Sequence, residues 1–169
     1  MADPSKFRAI RAVTWTVPDL DASVEAFERW LRQRRLDHGI VSEDLADRWQ
    51  APACAGARFC VLGPASGAPV QLRLVESEPT PGWAPLRTFG WNAAELHVQD
   101  VHGLARQLAD SPFEIIGPPR DLLDNGAVTA MQVLGPGREL LYLTQIDHAG
   151  MQALQREIGQ MREALAVLR

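Results

Sequence analysis

Apolar and polar residues alternate in two short stretches of the chain. In residues 12–17, Val13, Trp15 and Val17 interleave with Ala12, Thr14 and Thr16, and in residues 93–98, Ala94, Leu96 and Val98 interleave with Ala93, Glu95 and His97. A period of two is the mark of a half-buried strand. In each case the period then lengthens. Val24, Phe27 and Leu31 follow the first strand, and Val101, Leu104 and Leu108 follow the second, an apolar stripe at helical spacing. Asp19 and Asp100 stand at the two junctions, where an aspartate accepts from the free amides of a helix start. Ser42-Glu43-Asp44 opens a further short helix containing Leu45 and Trp49, with its acidic residues near the positive end of the helix dipole. Residues 58–62, 70–75, 128–134 and 139–145 read as additional strands.

The order repeats. Each half reads strand, helix, then several strands, and in each a glycine turn precedes the last one: Gly63-Pro64-Ala65-Ser66-Gly67-Ala68-Pro69 in the first, Gly135-Pro136-Gly137 in the second. Glu78-Pro79-Thr80-Pro81-Gly82-Trp83-Ala84-Pro85 lies between them, and its prolines forbid regular structure. The expected organisation is therefore a first module over residues 8–77, a linker over 78–88, a second module over 89–146 and an amphipathic helix over 147–169. In that helix Met151, Leu154, Ile158, Met161, Leu165 and Leu168 are spaced 3, 4, 3, 4 and 3 apart. So narrow a seam suits a partner helix, and a homodimer is expected.

Composition narrows the class. The 169 residues are 46% hydrophobic and 22% charged, which excludes disordered and fibrous chains. No apolar run approaches the roughly 20 residues of a membrane span, and Met1 to Lys6 lack the apolar core of a secretory signal. A net charge of −4 leaves no footprint for nucleic acid or anionic lipid. Cys54 and Cys60 are too few for a disulfide scaffold, so a reducing, cytoplasmic setting is expected. Cys60, in a strand, reads as a small buried hydrophobe.

The doubled order resembles the vicinal oxygen chelate superfamily, which includes glyoxalase I, bleomycin-resistance proteins and extradiol dioxygenases. Val17-Pro18-Asp19-Leu20 before Phe27, Val98-Gln99-Asp100-Val101 before Leu104, and the two glycine-turn strands carry the resemblance over residues 8–146. It implies an α+β fold of two paired βαβββ modules forming a curved mixed sheet around a cleft. Metal-dependent members place a histidine five residues before the valine of the Val-x-Asp motif, where this chain has Ala12 and Ala93. They place a further ligand, usually glutamate, about four residues after the late glycine, where it has Gln71 and Leu141. Alkyl groups do not ligate divalent ions, and the neighbours Val13, Ala94, Val70 and Leu140 are no better. The expectation is no metal site and no cofactor.

On the face that would carry ligands, the first half offers Thr14, Thr16, Gln71 and Arg73, and the second Glu95, His97 and Glu139. Glu95 and His97 lie two apart on one strand, so they share a face at roughly 7 Å. Such a pair divides acid and base roles if burial raises the carboxylate pKa. Glu95 is then the base, His97 the acid or orienter, and Arg73 the group that steadies developing negative charge. Trp49, Trp83 and Trp91 are candidates for stacking on a flat ligand, whereas Trp15 and Trp30 read as core. His38, His102 and His148 fall in expected loops or on helix surfaces. A buried Glu–Arg pair without chemistry is the plainer alternative.

Three functions follow, in order. The first is a metal-independent isomerase, epimerase, cyclase or lyase that moves a proton on a small, largely apolar carbonyl or aromatic compound. The second is a non-catalytic protein that sequesters such a compound, as a resistance protein does. The third is a metal-dependent glyoxalase or dioxygenase with a shifted ligand set.

Overall fold

The computed structural model describes residues 10–87, 92–147, 150–152 and 156. The chain forms two compact units. One runs to Asn92 and includes the turn Gly135–Glu139, and the other comprises Ala93–Leu134 and the chain from Leu140 onward.

In the first unit β1 (Ala12–Val17), α1 (Leu20–Leu31), β2 (Gln33–Ile40), α2 (Glu43–Arg48), β3 (Arg58–Pro64) and β4 (Gln71–Glu76) follow in sequence. The four strands form one mixed sheet in the order β1-β4-β3-β2, with β1 parallel to β4 and the other pairs antiparallel. Asp19 caps α1 as expected, its carboxylate accepting from the Ala22 amide at 2.9 Å. Arg32 ends the helix in a left-handed conformation, φ 51°, with its amide donating to the Phe27 carbonyl. Leu20, Val24, Ala26 and Phe27 are buried on the side that meets β3 and β4. Removing Phe27 from water contributes about 2 kcal/mol. Its ring lies 6.5 Å from that of Trp15, tilted by 46°. Arg58 ties the same layers at the surface, through paired hydrogen bonds of 2.8 and 2.6 Å to Glu76 and one of 3.0 Å to Asp21.

The second unit repeats the plan. It holds β5 (Ala93–His97), α3 (Val101–Leu108), β6 (Glu114–Asp121), β7 (Val128–Leu134) and β8 (Leu140–Ile146), with sheet order β5-β8-β7-β6 and β5 parallel to β8. Asp100 caps α3 through the Gly103 amide at 2.7 Å, and the Gln145 side chain accepts from the Val101 amide at 3.0 Å. Val101, Leu108, Phe113, Met131, Val133, Leu141 and Leu143 form its core.

Two strands have no counterpart in the hydrophobic pattern. β2 (Gln-Arg-Arg-Leu-Asp-His-Gly-Ile) and β6 (Glu-Ile-Ile-Gly-Pro-Pro-Arg-Asp) are the edges opposite β1 and β5. Neither buries a full face, and β6 carries two prolines, which a sheet accepts at an edge. His38 accordingly stands in β2, exposed and paired in register with Cys60, rather than in a loop. Cys60 is buried, and burial raises its thiol pKa. Trp30 is half-buried beneath Arg29, whose guanidinium lies 5.2 Å from its ring, and Trp15 is half-buried as well, so both stand outside the fully buried core expected for them.

Residues 78–87 hold neither helix nor strand. Asp147 opens a last helical turn by accepting from the Gly150 amide at 2.7 Å. Leu154, Ile158, Met161, Leu165 and Leu168 of the apolar seam lie outside the described residues, as do Trp91 and His148. Among the described residues no helix is long and apolar enough to cross a membrane.

Candidate functional site

The first module gathers its polar residues through register. The parallel pairing of β1 with β4 sets Ala12 beside Gln71, Thr14 beside Arg73 and Thr16 beside Val75. These residues share the sheet face opposite Leu72 and Leu74, which are buried. Above Val75 sits α2. The Ser42 hydroxyl caps it by accepting from the Leu45 amide at 3.2 Å, and Ala46 is buried with Val41 and Val75. Trp49, four residues after Leu45, packs on this cluster beside Phe59. Gln50 then turns the chain with a φ of 54°.

This packing brings Trp49 and Arg73 together. The guanidinium carbon of Arg73 lies 4.6 Å from the centre of the Trp49 ring system, and Nη1 donates to Thr14 Oγ1 at 3.4 Å. Among the described residues no carboxylate forms an ion pair with Arg73, in contrast to Arg35, Arg48 and Arg58. Its planar group is held by an aromatic face and a hydroxyl, with donors to spare. Thr16 and Gln71 are exposed on the same sheet face. Trp83 is 41% exposed in the segment after β4, and no ring contact joins it to Arg73 or Trp49 among the described residues.

In the second module Glu95 and His97 share one face of β5, in register with Tyr142 and Thr144. Both are exposed. The burial on which an acid/base role for Glu95 was expected to rest is thus not present within the module. Tyr142, half-buried beside Glu95 and paired with Gln132 of β7, belongs to this face. Only the strand register reveals it. The Thr144 hydroxyl next to His97 is buried and has no hydrogen-bond partner among the described residues.

Glu139 does not join them. It closes the turn before β8, its backbone carbonyl accepting from Gly135 and its Oε2 from the Gly137 amide, both at 2.9 Å. It is 1% exposed. Burial raises its carboxyl pKa, and hydrogen bonding from the backbone and from Ser23 tempers the rise. Among the described residues neither Glu139 Oε1 nor Ser23 Oγ meets a partner at full hydrogen-bond geometry. A strand displaced by one residue turns every side chain to its other face, and Glu139 has the parity of Leu141, not of Tyr142. Ala93 faces Leu140, while Leu141 is paired with Ala94 and fully buried.

The positions at which the resemblance implies metal ligands hold Ala12, Gln71, Ala93 and Leu141; Ala12 pairs with Gln71, and Ala93 pairs with Leu140, the neighbour of Leu141. Two methyl groups, an amide and an isobutyl group do not make a donor set for a divalent ion. Among the described residues no three His, Cys, Asp or Glu side chains cluster as a metal would require. The residues present do not fit the metal.

Comparison with solved structures shows the vicinal oxygen chelate fold. The chain is similar to a glyoxalase family protein from Bacillus cereus, with a TM-score of 0.67 and 15% identity over 86% of this chain and 99% of the other. It is similar to a glyoxylase/bleomycin resistance protein/dioxygenase domain from Frankia, at TM-score 0.63, 16% identity, and 84% and 100% coverage. It is also similar to a fosfomycin resistance protein from Listeria monocytogenes, solved with Mn(II) and a sulfate ion, at TM-score 0.55, 10% identity, and 88% and 98% coverage. By sequence, no family model and no curated protein matches the chain.

Proposed function

We propose that this glyoxalase-like protein binds a small, largely apolar carbonyl or aromatic molecule on the β4 face of the first module, without a metal. The observation that carries the reading is the setting of Arg73, stacked on Trp49 and touching Thr14 without an acidic partner among the described residues. A guanidinium paired with a carboxylate is already satisfied. One laid on an indole keeps its in-plane N–H groups for a ligand oxygen, and the apolar surface of Phe59 and Trp49 beside it suits a flat ligand body. The resistance-type names among similar structures accord with a binding role.

Proton transfer is the second reading, favoured by the shared face of Glu95 and His97. In that reaction Glu95 takes a proton from the carbon next to a carbonyl. The C–H electron pair moves into the enolate, and His97 returns a proton to carbon.

Phenylacetone, which is neutral and enolisable, separates the two. Binding to chelator-treated protein that weakens in Arg73→Gln, with the ketone recovered unchanged from D2O, supports the first reading. Exchange of its α-protons by the wild type, lost in Glu95→Gln, establishes the second. Binding that requires added metal contradicts both.

A further inference from the structure

We propose a second ligand site in the first module: an anion pocket built on Arg11 and Arg34, shaped for a small organic anion with an apolar body. It shares Gln71 with the Arg73 face but rests on Arg11 and Arg34, not on the reading of Arg73. A cavity of about 310 Å³ opens at the Gln71 end of the sheet, lined by Arg11, Arg34, Leu36, Gly63, Val70 and Gln71 among others, with no aspartate or glutamate in its walls. Neither arginine forms an ion pair among the described residues.

Three features of the chain shape the cavity. The pairing of β2 with β3 is interrupted between Arg35 and Asp37, which leaves Leu36 without a partner across the ladder, and Arg34 and Leu36, two apart along the strand and so on one face, both line the cavity. Gly63 makes room for the arrangement, because a Cβ there would stand 2.6 Å from Leu36 Cδ1. Leu36 and Val70, each 46% exposed, supply an apolar wall that no part of the described chain covers. Two cations beside that wall match a ligand with both characters. A carboxylate or phosphonate oxygen pair suits the guanidinium fork, and an aryl or short alkyl body suits Leu36 and Val70.

Phenylphosphonate is the probe, titrated calorimetrically and followed by amide NMR. The expected result is saturable binding, weakened about tenfold or more in Arg34→Gln and in Arg11→Gln, as loss of a charge-assisted hydrogen bond requires. The amide perturbations should centre on Gly63, Gly67 and Val70, leaving the Trp49 indole unmoved. Arg48→Gln removes a cation outside the cavity and should leave the affinity unchanged. No saturable binding by the wild type would overturn the proposal. So would equal weakening in Arg48→Gln, which marks general charge attraction, or perturbation centred on Trp49.

Discussion

The Arg73 guanidinium rests on the indole of Trp49, 4.6 Å from its centre, and reaches Thr14 Oγ1 at 3.4 Å. Residues from β4, the end of α2 and β1 thereby meet on one sheet face. An exposed cation–π contact is worth only about 0.5–1 kcal/mol, too little to serve stability alone. Its consequence is orientation: the flat group is fixed in a plane with the donors not used on Thr14 left free of any ion pair among the described residues.

This relationship predicts a graded series. Arg73→Lys keeps the charge and loses the planar fork, so affinity for an aromatic ketone should fall about tenfold, while Arg73→Gln loses more. Trp49→Leu preserves the apolar contact with Ala46 and Val75 but frees the guanidinium, and should weaken binding with little change in melting temperature. Calorimetric titration beside thermal denaturation of the three variants checks it.

Glu139 makes stability depend on pH. Its folded-state pKa is raised, burial being the largest cause. A carboxyl of this kind holds its proton longer in the folded state than in the unfolded chain. The contribution of Glu139 is then greatest below the unfolded glutamate value, about 4.3, and declines as pH climbs through the raised folded one. Glu139→Gln keeps the acceptor for the Gly137 amide and removes the ionisation. Across a pH series the wild-type denaturant midpoint should fall relative to that of the variant as pH rises. Parallel slopes contradict the assignment.

Gly137 is required by close packing. A Cβ there would stand 2.7 Å from Val17 Cγ1 and 3.0 Å from Glu139 Oε1, and Val17 is fully buried. Gly137→Ala should cost about 1–3 kcal/mol, measured by chemical denaturation. In contrast Gly67→Ala meets nothing within 4 Å, and its cost comes only from a φ of 78°.

The helix caps offer a calibrated comparison. Asp19→Ala and Asp100→Ala each remove the acceptor of one first-turn amide and should cost about 1 kcal/mol. Asn at either position should restore most of it. Urea midpoints decide the matter.

The sequence discloses the parts of this fold whose two faces differ. β1 and β5 alternate because one side meets a helix, and Asp19 and Asp100 announce the helices through local hydrogen bonds. Edge strands β2 and β6 have no such contrast, so their charged and proline-bearing residues resemble loops. The candidate site divides in the same way. The shared face of Thr14 and Arg73 is legible from their strand positions. Glu139 was misplaced because the strand begins one residue later than the apolar pattern implies, and one residue exchanges the faces. Tyr142 beside Glu95, Leu36 at the break in its ladder and the stacking of Trp49 on Arg73 depend on pairing between distant segments, which local periodicity does not encode.

The most direct test is an NMR titration of chelator-treated protein with a panel of small aromatic ketones and phenols, the Trp49 indole resonance assigned through Trp49→Phe. Selective movement of that resonance and of the Arg73 side-chain N–H, abolished by Arg73→Gln, is the predicted result. A panel that leaves both unmoved, or moves them only after a divalent metal is restored, would contradict it.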